Sequence, residues 1–225
     1  MPVKLVIFDL DGTLVDSSVD ICRALNYAIR PYGLKEVSVE ETIALVGEGV
    51  TALIGKLTRL RGVDLDEAAL LRRFLDYYRT HLADYSAPYP GAEKTLRSLS
   101  GQKKAVVSNK IEVLSIRLLE SLNFLEYFDY VSGGDTSLEK KPSPVPIFDV
   151  LSRFDILPGD ALFVGDSIYD MTASRAAGVK SVAALYGYGS PAFSDGADYS
   201  IERIEDLIDL VGRLEEARFP ADRGF

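Results

Sequence analysis

The stretch "VKLVIFDLDGTLVDSS", residues 3–18, predicts the first strand of the protein and the loop that follows it. Its largely apolar first part ends at two aspartates, Asp9 and Asp11. A short apolar run of this kind is typical of a strand that is covered on both faces in a parallel sheet. Residues two apart on a strand share a face, so we expect both carboxylates to point into one cavity at the strand's C-terminal end. Open α/β sheets bind their ligands at that end.

Two neighbouring carboxylates repel each other, so their proximity needs a physical cause. A shared proton or a bound cation would make it tolerable, and Mg²⁺ prefers oxygen ligands. Gly12 permits a close backbone approach or an unusual turn, and we expect Thr13 to satisfy local backbone donors. The alternative is an ordinary turn, because Asp and Gly are common in turns for local hydrogen-bonding reasons. This motif alone leaves both interpretations open.

The rest of the chain predicts an α/β fold with an all-helical insert. Further apolar runs predict strands that begin near Lys103, Tyr127, Ala161 and Lys180, with a candidate edge strand near Ala197. Helical spacing between these runs favours a parallel sheet with right-handed crossovers. Residues 16–87 show only helical spacing, which predicts about four helices. We therefore expect a discontinuous catalytic core, residues 1–15 and 88–225, and a helical cap, residues 16–87.

Composition narrows the classes of partner. The 225 residues carry a formal net charge of −9, which argues against nucleic acid as a partner. An anionic small substrate stays compatible, because a local lysine or metal can reverse the field inside a cleft. A single cysteine and the lack of a long apolar run predict a cytoplasmic protein without a membrane partner. The sequence leaves the oligomeric state open.

The segment "VVSNK", residues 106–110, follows the second predicted strand of the core. Ser108 can donate a hydrogen bond into the same cavity as the two aspartates. The helix that follows would offer backbone N–H groups suited to an anion. Alternatively, Asn109 caps that helix, with Glu112 three residues later.

A lysine stands at a comparable place in "EKKPSPVPIF", residues 139–148. Lys141 precedes Pro142, which disfavours a helical conformation at the lysine. Ser143 is then expected to cap a helix with Pro144 at its first position. A lysine held just before a helix would add positive charge to an anion site, and the alternative is a solvated surface lysine.

The last motif is "LFVGDSIYDMTASRAAG", residues 162–178. Asp166 ends a buried strand, and Asp170 lies near the start of the next helix, where negative charge is favourable. A capping box from Ser167 to Asp170 would explain Asp170 but not Asp166. Taken together, the motifs bring acids, a hydroxyl and a lysine to one sheet edge, which is an inventory for holding Mg²⁺ and a phosphoryl group.

Four segments in this order and spacing make the chain resemble the haloacid dehalogenase superfamily of phosphotransferases: "DLDGTLVD", "SN", "KPSP" and "GDSIYD". The helical insert before "YPGA" resembles the phosphoglycolate phosphatase-like group within it. The resemblance implies a Rossmann-like core with a mobile helical cap. It also implies Mg²⁺-dependent hydrolysis of a small phosphate monoester, with 2-phosphoglycolate as the first candidate.

The resemblance implies a role for each matching residue of the core. Asp9 would be the nucleophile that forms an aspartyl-phosphate, and Asp11 would protonate the leaving oxygen and then activate water. Ser108 and Asn109 would bind the phosphoryl oxygens, and Lys141 would offset negative charge.

The resemblance also implies a metal site and a substrate loop. The Mg²⁺ ligands would be Asp9, the backbone carbonyl of Asp11, and Asp166. Asp170 and Thr13 would support them. The loop Gly47, Glu48 and Gly49 matches a cap loop that faces the active site in the group, where an Asn is common at the position of Glu48.

Other functions remain compatible with these motifs. The resemblance implies that an aspartate two residues after the nucleophile, here Asp11, disfavours a dehalogenase or phosphonatase. A phosphosugar mutase, a pyrophosphatase or a nucleotidase could use the same machinery. A non-catalytic phosphate-binding module is the candidate from a different class, although such a protein should have lost a motif residue.

Overall fold

A computed structural model of the protein describes residues 3–189 and 191–216. The apolar runs form short strands whose core members are almost completely buried. The strands are β1 (Leu5–Phe8), β2 (Val15–Asp16), β3 (Ala87–Pro88), β4 (Lys103–Val107), β5 (Tyr130–Ser132), β6 (Ala161–Gly165), β7 (Lys180–Ala184) and β8 (Tyr199–Ile201).

Six of these strands form one parallel sheet in the order β5-β4-β1-β6-β7-β8. The strand β1 lies between β4 and β6, and Phe8 pairs with both Val106 and Val164. This register brings the residues that follow the three strands to the same edge of the sheet. Along the chain, β4 and β5 are added on one side of β1 and β6 to β8 on the other, and open α/β sheets form a crevice where the strand order reverses in this way. The predicted α/β fold with a parallel sheet is confirmed.

Helices fill the connections. The α-helices are α1 (Ser18–Ile29), α2 (Val39–Leu45), α3 (Val50–Arg61), α4 (Glu67–His81), α5 (Ala92–Ser98), α6 (Glu112–Ser121), α7 (Val145–Phe154), α8 (Ile168–Ala177) and α9 (Asp206–Glu216). Short 3-10 helices span Arg30–Tyr32, Leu125–Tyr127, Pro158–Asp160 and Pro191–Ser194. Among the described residues, no helix has the length and apolarity needed to cross a membrane.

Two apolar layers sandwich the sheet. Along β1, Leu5 and Ile7 belong to a layer shared with α7 and α8, while Val6 and Phe8 belong to a larger layer shared with α5, α6 and α9. This alternation is the period of two that a strand imposes on its side chains. The larger layer continues into α1, α3 and α4. We call these first four helices, α1–α4, the helical insert.

The chain enters and leaves the helical insert through a two-residue ribbon. Val15 pairs with Pro88 and Asp16 with Ala87 in antiparallel register. The sequence predicts no strand within residues 16–87, and the ribbon is a small correction at both ends of that range. Two residues per strand are too few to produce a periodic pattern. The ribbon holds the entry and exit of the insert next to the end of β1.

One helix boundary also differs from its prediction. The helix α7 begins at Val145, and Pro144 is its N-cap rather than its first residue. The Ser143 hydroxyl accepts a hydrogen bond from the Val145 backbone N–H at 3.2 Å, so it still helps to cap the helix. The turn before α7 therefore lies one residue further along than the sequence predicts.

Candidate active site

A buried lysine joins two aspartates at the carboxyl edge of the sheet. The Lys141 ammonium lies 2.8 Å from Asp9 Oδ1 and 2.6 Å from Asp170 Oδ1. Only 1% of the lysine side chain is exposed, so the pairing takes place away from bulk water. The alternative of a solvated surface lysine is wrong for Lys141.

Asp166 is held in place by two donors from different parts of the chain. The Thr13 hydroxyl donates to Asp166 Oδ1 and the Tyr188 backbone N–H donates to Oδ2, both at 2.8 Å. The expectation that Thr13 satisfies local backbone donors is wrong, because its hydroxyl serves the distant carboxylate. Gly12 has a positive φ of 86°, and any Cβ there would collide with the Asp166 carboxylate. The glycine therefore allows the first loop to lie against the aspartate.

Asp170 has the two functions that the sequence left as alternatives. Its Oδ2 accepts hydrogen bonds from the Ser167 backbone N–H at 3.0 Å and from the Ser167 hydroxyl at 2.6 Å. The Ser167 hydroxyl also accepts from the Asp170 backbone N–H at 3.4 Å, which completes the predicted capping box of α8. Asp170 Oδ1 accepts from Lys141. The capping box thus fixes Asp170 so that its second oxygen positions the lysine.

The site has more negative than positive groups. Three carboxylates offer oxygens within 4.8 Å of one another: Asp9, Asp166 and Asp170. Burial raises the pKa of Asp9 to about 6, although Lys141 opposes the shift. Burial, with the charges of Asp9 and Asp170, raises the pKa of Asp166 well above its ordinary value. Close, dry carboxylates of this kind are costly to ionise unless a cation lies among them.

The charges at the site match a divalent cation. Four carboxylates and two ammonium groups lie here: Asp9, Asp11, Asp166, Asp170, Lys110 and Lys141. Two negative charges are left when all of them are ionised. A set of carboxylate oxygens with that charge fits Mg²⁺, which prefers hard oxygen ligands.

Asp11 has its own set of partners on the side facing the helical insert. The Ser17 hydroxyl donates to Asp11 Oδ1 at 2.5 Å. The Lys110 ammonium lies 2.9 Å from Oδ1 and 3.0 Å from Oδ2, and it also donates to the Tyr78 hydroxyl at 2.8 Å. Asp9 and Asp11 are therefore held by different lysines, which separates the two neighbouring carboxylates.

Asn109 connects the core with the helical insert. Its side-chain amide donates to the Gly47 carbonyl at 2.8 Å and to the Lys141 carbonyl at 2.9 Å. The alternative that Asn109 caps the following helix is wrong, because α6 begins at Glu112 with Ile111 as its N-cap. The neighbouring Ser108 hydroxyl accepts from the Lys110 backbone N–H at 3.3 Å. Ser108 lines the cavity that Asp9 and Asp11 also line.

The predicted substrate loop divides between two environments. Gly47 and Gly49 line the cavity with the aspartates. The Glu48 carboxylate instead pairs with Lys56 at 2.6 Å and accepts a hydrogen bond from the Tyr169 hydroxyl at 2.5 Å. Gly49 has a positive φ of 83°, and a Cβ there would lie 2.7 Å from the Asn109 carbonyl oxygen. The loop thus packs tightly on the core, with Glu48 bridging to α8.

Two cavities meet at Asp9 and Asp11. The narrow cavity, of about 60 Å³, lies between the core and the helical insert and is lined mainly by apolar side chains. The wide cavity, of about 580 Å³, opens beside α8 and includes Lys56, Tyr169 and Tyr188. A ligand bound at Asp9 could therefore extend in either direction.

Several side chains of the site are not predicted from the sequence. Lys110 directly follows "SN", and this adjacency is a signal that could have pointed to it. Tyr188 lies just after the last central strand, where a loop at the carboxyl edge is expected. Ser17 and Tyr78 carry no such signal, because a serine before a helix and an aromatic residue in a helical stripe are both common.

Comparisons with known proteins agree with this geometry. The family model described as haloacid dehalogenase-like hydrolase matches residues 6–184. A phosphoglycolate phosphatase of Aquifex aeolicus is 39% identical over 93% of this chain and 97% of its own length. One of Chromobacterium violaceum is 38% identical over 93% and 96%.

A solved structure is also similar over nearly the whole chain. The crystal structure of a protein from Haemophilus somnus, described as a predicted phosphoglycolate phosphatase, superimposes with a TM-score of 0.88 at 30% identity. The superposition covers 92% of this chain and 97% of that one. The matched family model, the relatives and the shared fold lead to one conclusion: the chain belongs to the haloacid dehalogenase-like hydrolase family.

Proposed function

We propose that this hydrolase removes the phosphoryl group from a small phosphate monoester, with 2-phosphoglycolate as the preferred substrate. The observation that carries the proposal is the pair Asp9 and Asp11. Both border one cavity, but each is held by a different lysine, Lys141 or Lys110. Two carboxylates in distinct environments can serve as nucleophile and proton carrier.

The proposed reaction has two displacements at phosphorus. Asp11 begins the proposed cycle with a proton. An Asp9 carboxylate oxygen attacks the phosphorus, the ester P–O bond breaks, and the leaving oxygen takes the proton of Asp11. A water molecule then attacks the phosphorus of the aspartyl-phosphate, the bond between phosphorus and the Asp9 oxygen breaks, and Asp11 accepts a proton from the water. Inorganic phosphate leaves, and both aspartates return to their starting states.

Other residues would bind and orient the phosphoryl group. We assign the Ser108 hydroxyl to a phosphoryl oxygen, since it lines the same cavity as Asp9. The Lys141 ammonium would offset the negative charge of Asp9 and of the phosphoryl group. Asn109 already spends both of its donors on Gly47 and Lys141 carbonyls, so we assign it a positioning role.

We propose that Asp9, Asp166 and the backbone carbonyl of Asp11 hold Mg²⁺, with Asp170 and Thr13 supporting them. The fit rests on the clustered carboxylate oxygens and on the two uncompensated negative charges. When bound, the ion would neutralise charge on the equatorial phosphoryl oxygens. Asp170 would act through Lys141 and the start of α8 rather than as a direct ligand.

The helical insert supports a small substrate. We propose that residues 16–87 act as a cap over a core of residues 1–15 and 88–225. The cap would exclude bulk water from the aspartyl-phosphate. The narrow cavity has room for roughly four to six water-sized groups, which matches the part of a two-carbon ester that lies beyond the phosphoryl group. The names of the relatives support 2-phosphoglycolate as the first candidate.

The experiment is phosphate release from a panel of esters, with Mg²⁺ and with a chelator. The panel holds 2-phosphoglycolate, hexose phosphates, nucleotides, pyrophosphate and p-nitrophenyl phosphate, each run beside Asp9→Asn. We expect metal-dependent release that is fastest with 2-phosphoglycolate and is lost in the variant. Fastest release from pyrophosphate or a nucleotide would overturn the assignment of 2-phosphoglycolate as the preferred substrate. If no compound released phosphate, the proposed phosphatase activity would be overturned.

A further inference from the structure

Lys110 is the one cationic side chain among the described residues that line the narrow cavity. It is 7% exposed and lies between Asp11 on the core and Tyr78 on the helical insert. The remaining walls are mainly apolar, formed by side chains of α1, α3, α4 and α6. The carboxylates of Asp9 and Asp11 also line this cavity, so Lys110 is the group there that can pair with an anionic part of a ligand, with little water to screen the charge.

The hydrogen-bond donors of Lys110 and Tyr78 can bind a further acceptor. An ammonium has three donors. Lys110 uses two of them on the two oxygens of Asp11 and one on the Tyr78 hydroxyl. Giving up one bond to Asp11 would leave that carboxylate held by the other bond and by Ser17. The Tyr78 hydroxyl accepts from Lys110, and among the described residues no acceptor receives its own proton.

We propose that Lys110 and Tyr78 bind the carboxylate of the substrate, so that the narrow cavity selects small phosphorylated acids over uncharged phosphate esters. This inference rests on the proposed function, because it concerns the substrate of the same site. It adds two specificity residues, one from the core and one from the helical insert.

The position of Asp11 fits the short distance between the ester oxygen and the carboxylate of such a substrate. To protonate the leaving oxygen, Asp11 must lie next to the ester oxygen. The Lys110 ammonium is within 3.0 Å of Asp11, so it lies only a few atoms from that oxygen. In 2-phosphoglycolate a single methylene separates the ester oxygen from the carboxylate. A longer acid would have to fold back or enter the wide cavity.

The surroundings of Lys110 and Tyr78 keep both groups protonated. Burial alone would lower the pKa of Lys110, but Asp11 and Tyr78 raise it overall, so the ammonium stays charged. Burial raises the pKa of Tyr78 to about 12, so its hydroxyl stays protonated. Both groups therefore remain hydrogen-bond donors at neutral pH.

Two alternative arrangements of the site predict different behaviour. Lys110 could act only through Asp11, as a positioning residue. It would then contribute equally to the hydrolysis of phosphorylated acids and of neutral esters. Alternatively, the substrate's carboxylate could enter the wide cavity and meet Lys56, which pairs with Glu48 there. A comparison of matched esters separates these possibilities.

The experiment compares kcat/KM for 2-phosphoglycolate and for ethyl phosphate, which has the same two carbons without the carboxylate. The ratio of the two values reports recognition of the carboxylate and cancels any common loss. We expect the wild type to prefer the acid. Lys110→Met should lower this preference about 10- to 100-fold, as expected for hydrogen bonds to a charged group. Tyr78→Phe should lower it about 2- to 10-fold.

Lys56→Met is the matched control, because it removes the same charge from the neighbouring cavity. We expect it to retain the preference for the acid. An equal loss for both esters in Lys110→Met would overturn the inference in favour of a positioning role. Loss of the preference in Lys56→Met alone would overturn it in favour of the wide cavity.

The remaining outcomes are also decisive. Tyr78→Phe removes only one hydroxyl, so it tests the inference even where Lys110→Met fails to fold. An unchanged ratio in Tyr78→Phe would overturn the inference, because the inference assigns the substrate's carboxylate to both side chains. A wild type that releases phosphate from no ester would overturn the proposed function and this inference together, whereas the ratios test the inference alone.

Discussion

Asp20 and Asp166 are both buried aspartates, but the groups around them differ. Asp20 accepts hydrogen bonds from the Tyr85 and Ser86 backbone N–H groups at 3.0 and 2.8 Å, and from the Ser86 hydroxyl at 2.7 Å. Every polar neighbour in this set is a donor, and the carboxylate joins α1 to the segment that returns from α4. Asp166 also has donors, but it lies within reach of two further carboxylates.

The difference shows that burial alone does not identify a functional carboxylate. Asp20 stabilises the structure, because donors replace the water that it has lost. The crowded carboxylates of Asp9 and Asp166 destabilise the folded protein unless a cation lies between them. Crowded acids with raised pKa values are a general mark of active sites, and Asp9 and Asp166 show this mark.

The largest effect is expected at the nucleophile. Asp9→Asn should lower turnover by at least roughly 10⁴-fold, because an amide cannot replace the attacking carboxylate. Steady-state phosphate release in saturating Mg²⁺ measures it. Asp20→Asn is the matched control and should lose far less activity at a temperature where it is folded. Comparable losses in the two variants would remove the distinction between the two regions.

The loss of stability should follow the opposite order, with the larger loss at Asp20 rather than at the active-site acids. Asp20→Ala leaves the Tyr85 and Ser86 N–H groups without an acceptor, which should cost about 3 kcal/mol. For a chain of this size that lowers Tm by roughly 6–12 °C. Thermal unfolding followed by circular dichroism measures the shift. A Tm within the error of the wild type would mean that Asp20 does not hold the return segment.

A metal-dependent stability change should distinguish the two regions further. Saturating Mg²⁺, at about 100 times its Kd, should stabilise the wild type by about 3 kcal/mol and raise Tm by roughly 5–10 °C. Asp166→Asn should lose most of this response. Without metal it should be at least as stable as the wild type, because it removes a charge that burial disfavours.

Asp20→Asn serves as the control for this measurement too. It should be less stable than the wild type without metal and should keep the full Mg²⁺ response. If Asp166→Asn were destabilised without metal and still responded to Mg²⁺, Asp166 would be a structural residue of the same kind as Asp20.

Much of this difference can be predicted from the sequence because the active-site acids follow strands. Asp9 and Asp166 come directly after apolar runs, and parallel strands bring their carboxyl ends to one edge. The same logic locates Lys141 through the neighbouring proline and helix start. The parallel sheet and the helices of the insert follow from periodicity, which is strong over long segments.

The rest depends on contacts between distant parts of the chain. Asp20 carries no signal, since its donors lie 65 and 66 residues away. Helical spacing predicts Tyr78 only as a packing residue, and its hydroxyl reaches Lys110 because the insert folds back over the core. Asn109 matches a capping pattern, but the tertiary hydrogen bonds to Gly47 and Lys141 override that local preference.

The smallest expected effect concerns Glu48, where the helical insert meets the core. Its carboxylate pairs with Lys56 of the insert and accepts from Tyr169 of the core, and Lys140 donates to its backbone carbonyl at 2.5 Å. These contacts make Glu48 a link between the helical insert and the core, and we predict that it does not touch the substrate. Glu48→Gln should therefore raise KM about two- to fivefold with little change in the preference among esters, as expected for partly exposed polar contacts.

Tyr169→Phe removes the same bond from the other side and gives a double-mutant cycle. If the two groups act only through each other, the double variant should be no worse than Glu48→Gln alone. The measurement is KM for 2-phosphoglycolate in all four proteins. Additive losses, or a changed order of preferred esters in Glu48→Gln, would instead make Glu48 a substrate-recognition residue. Its position would then extend the crowded, functional set of carboxylates across the boundary between the core and the helical insert.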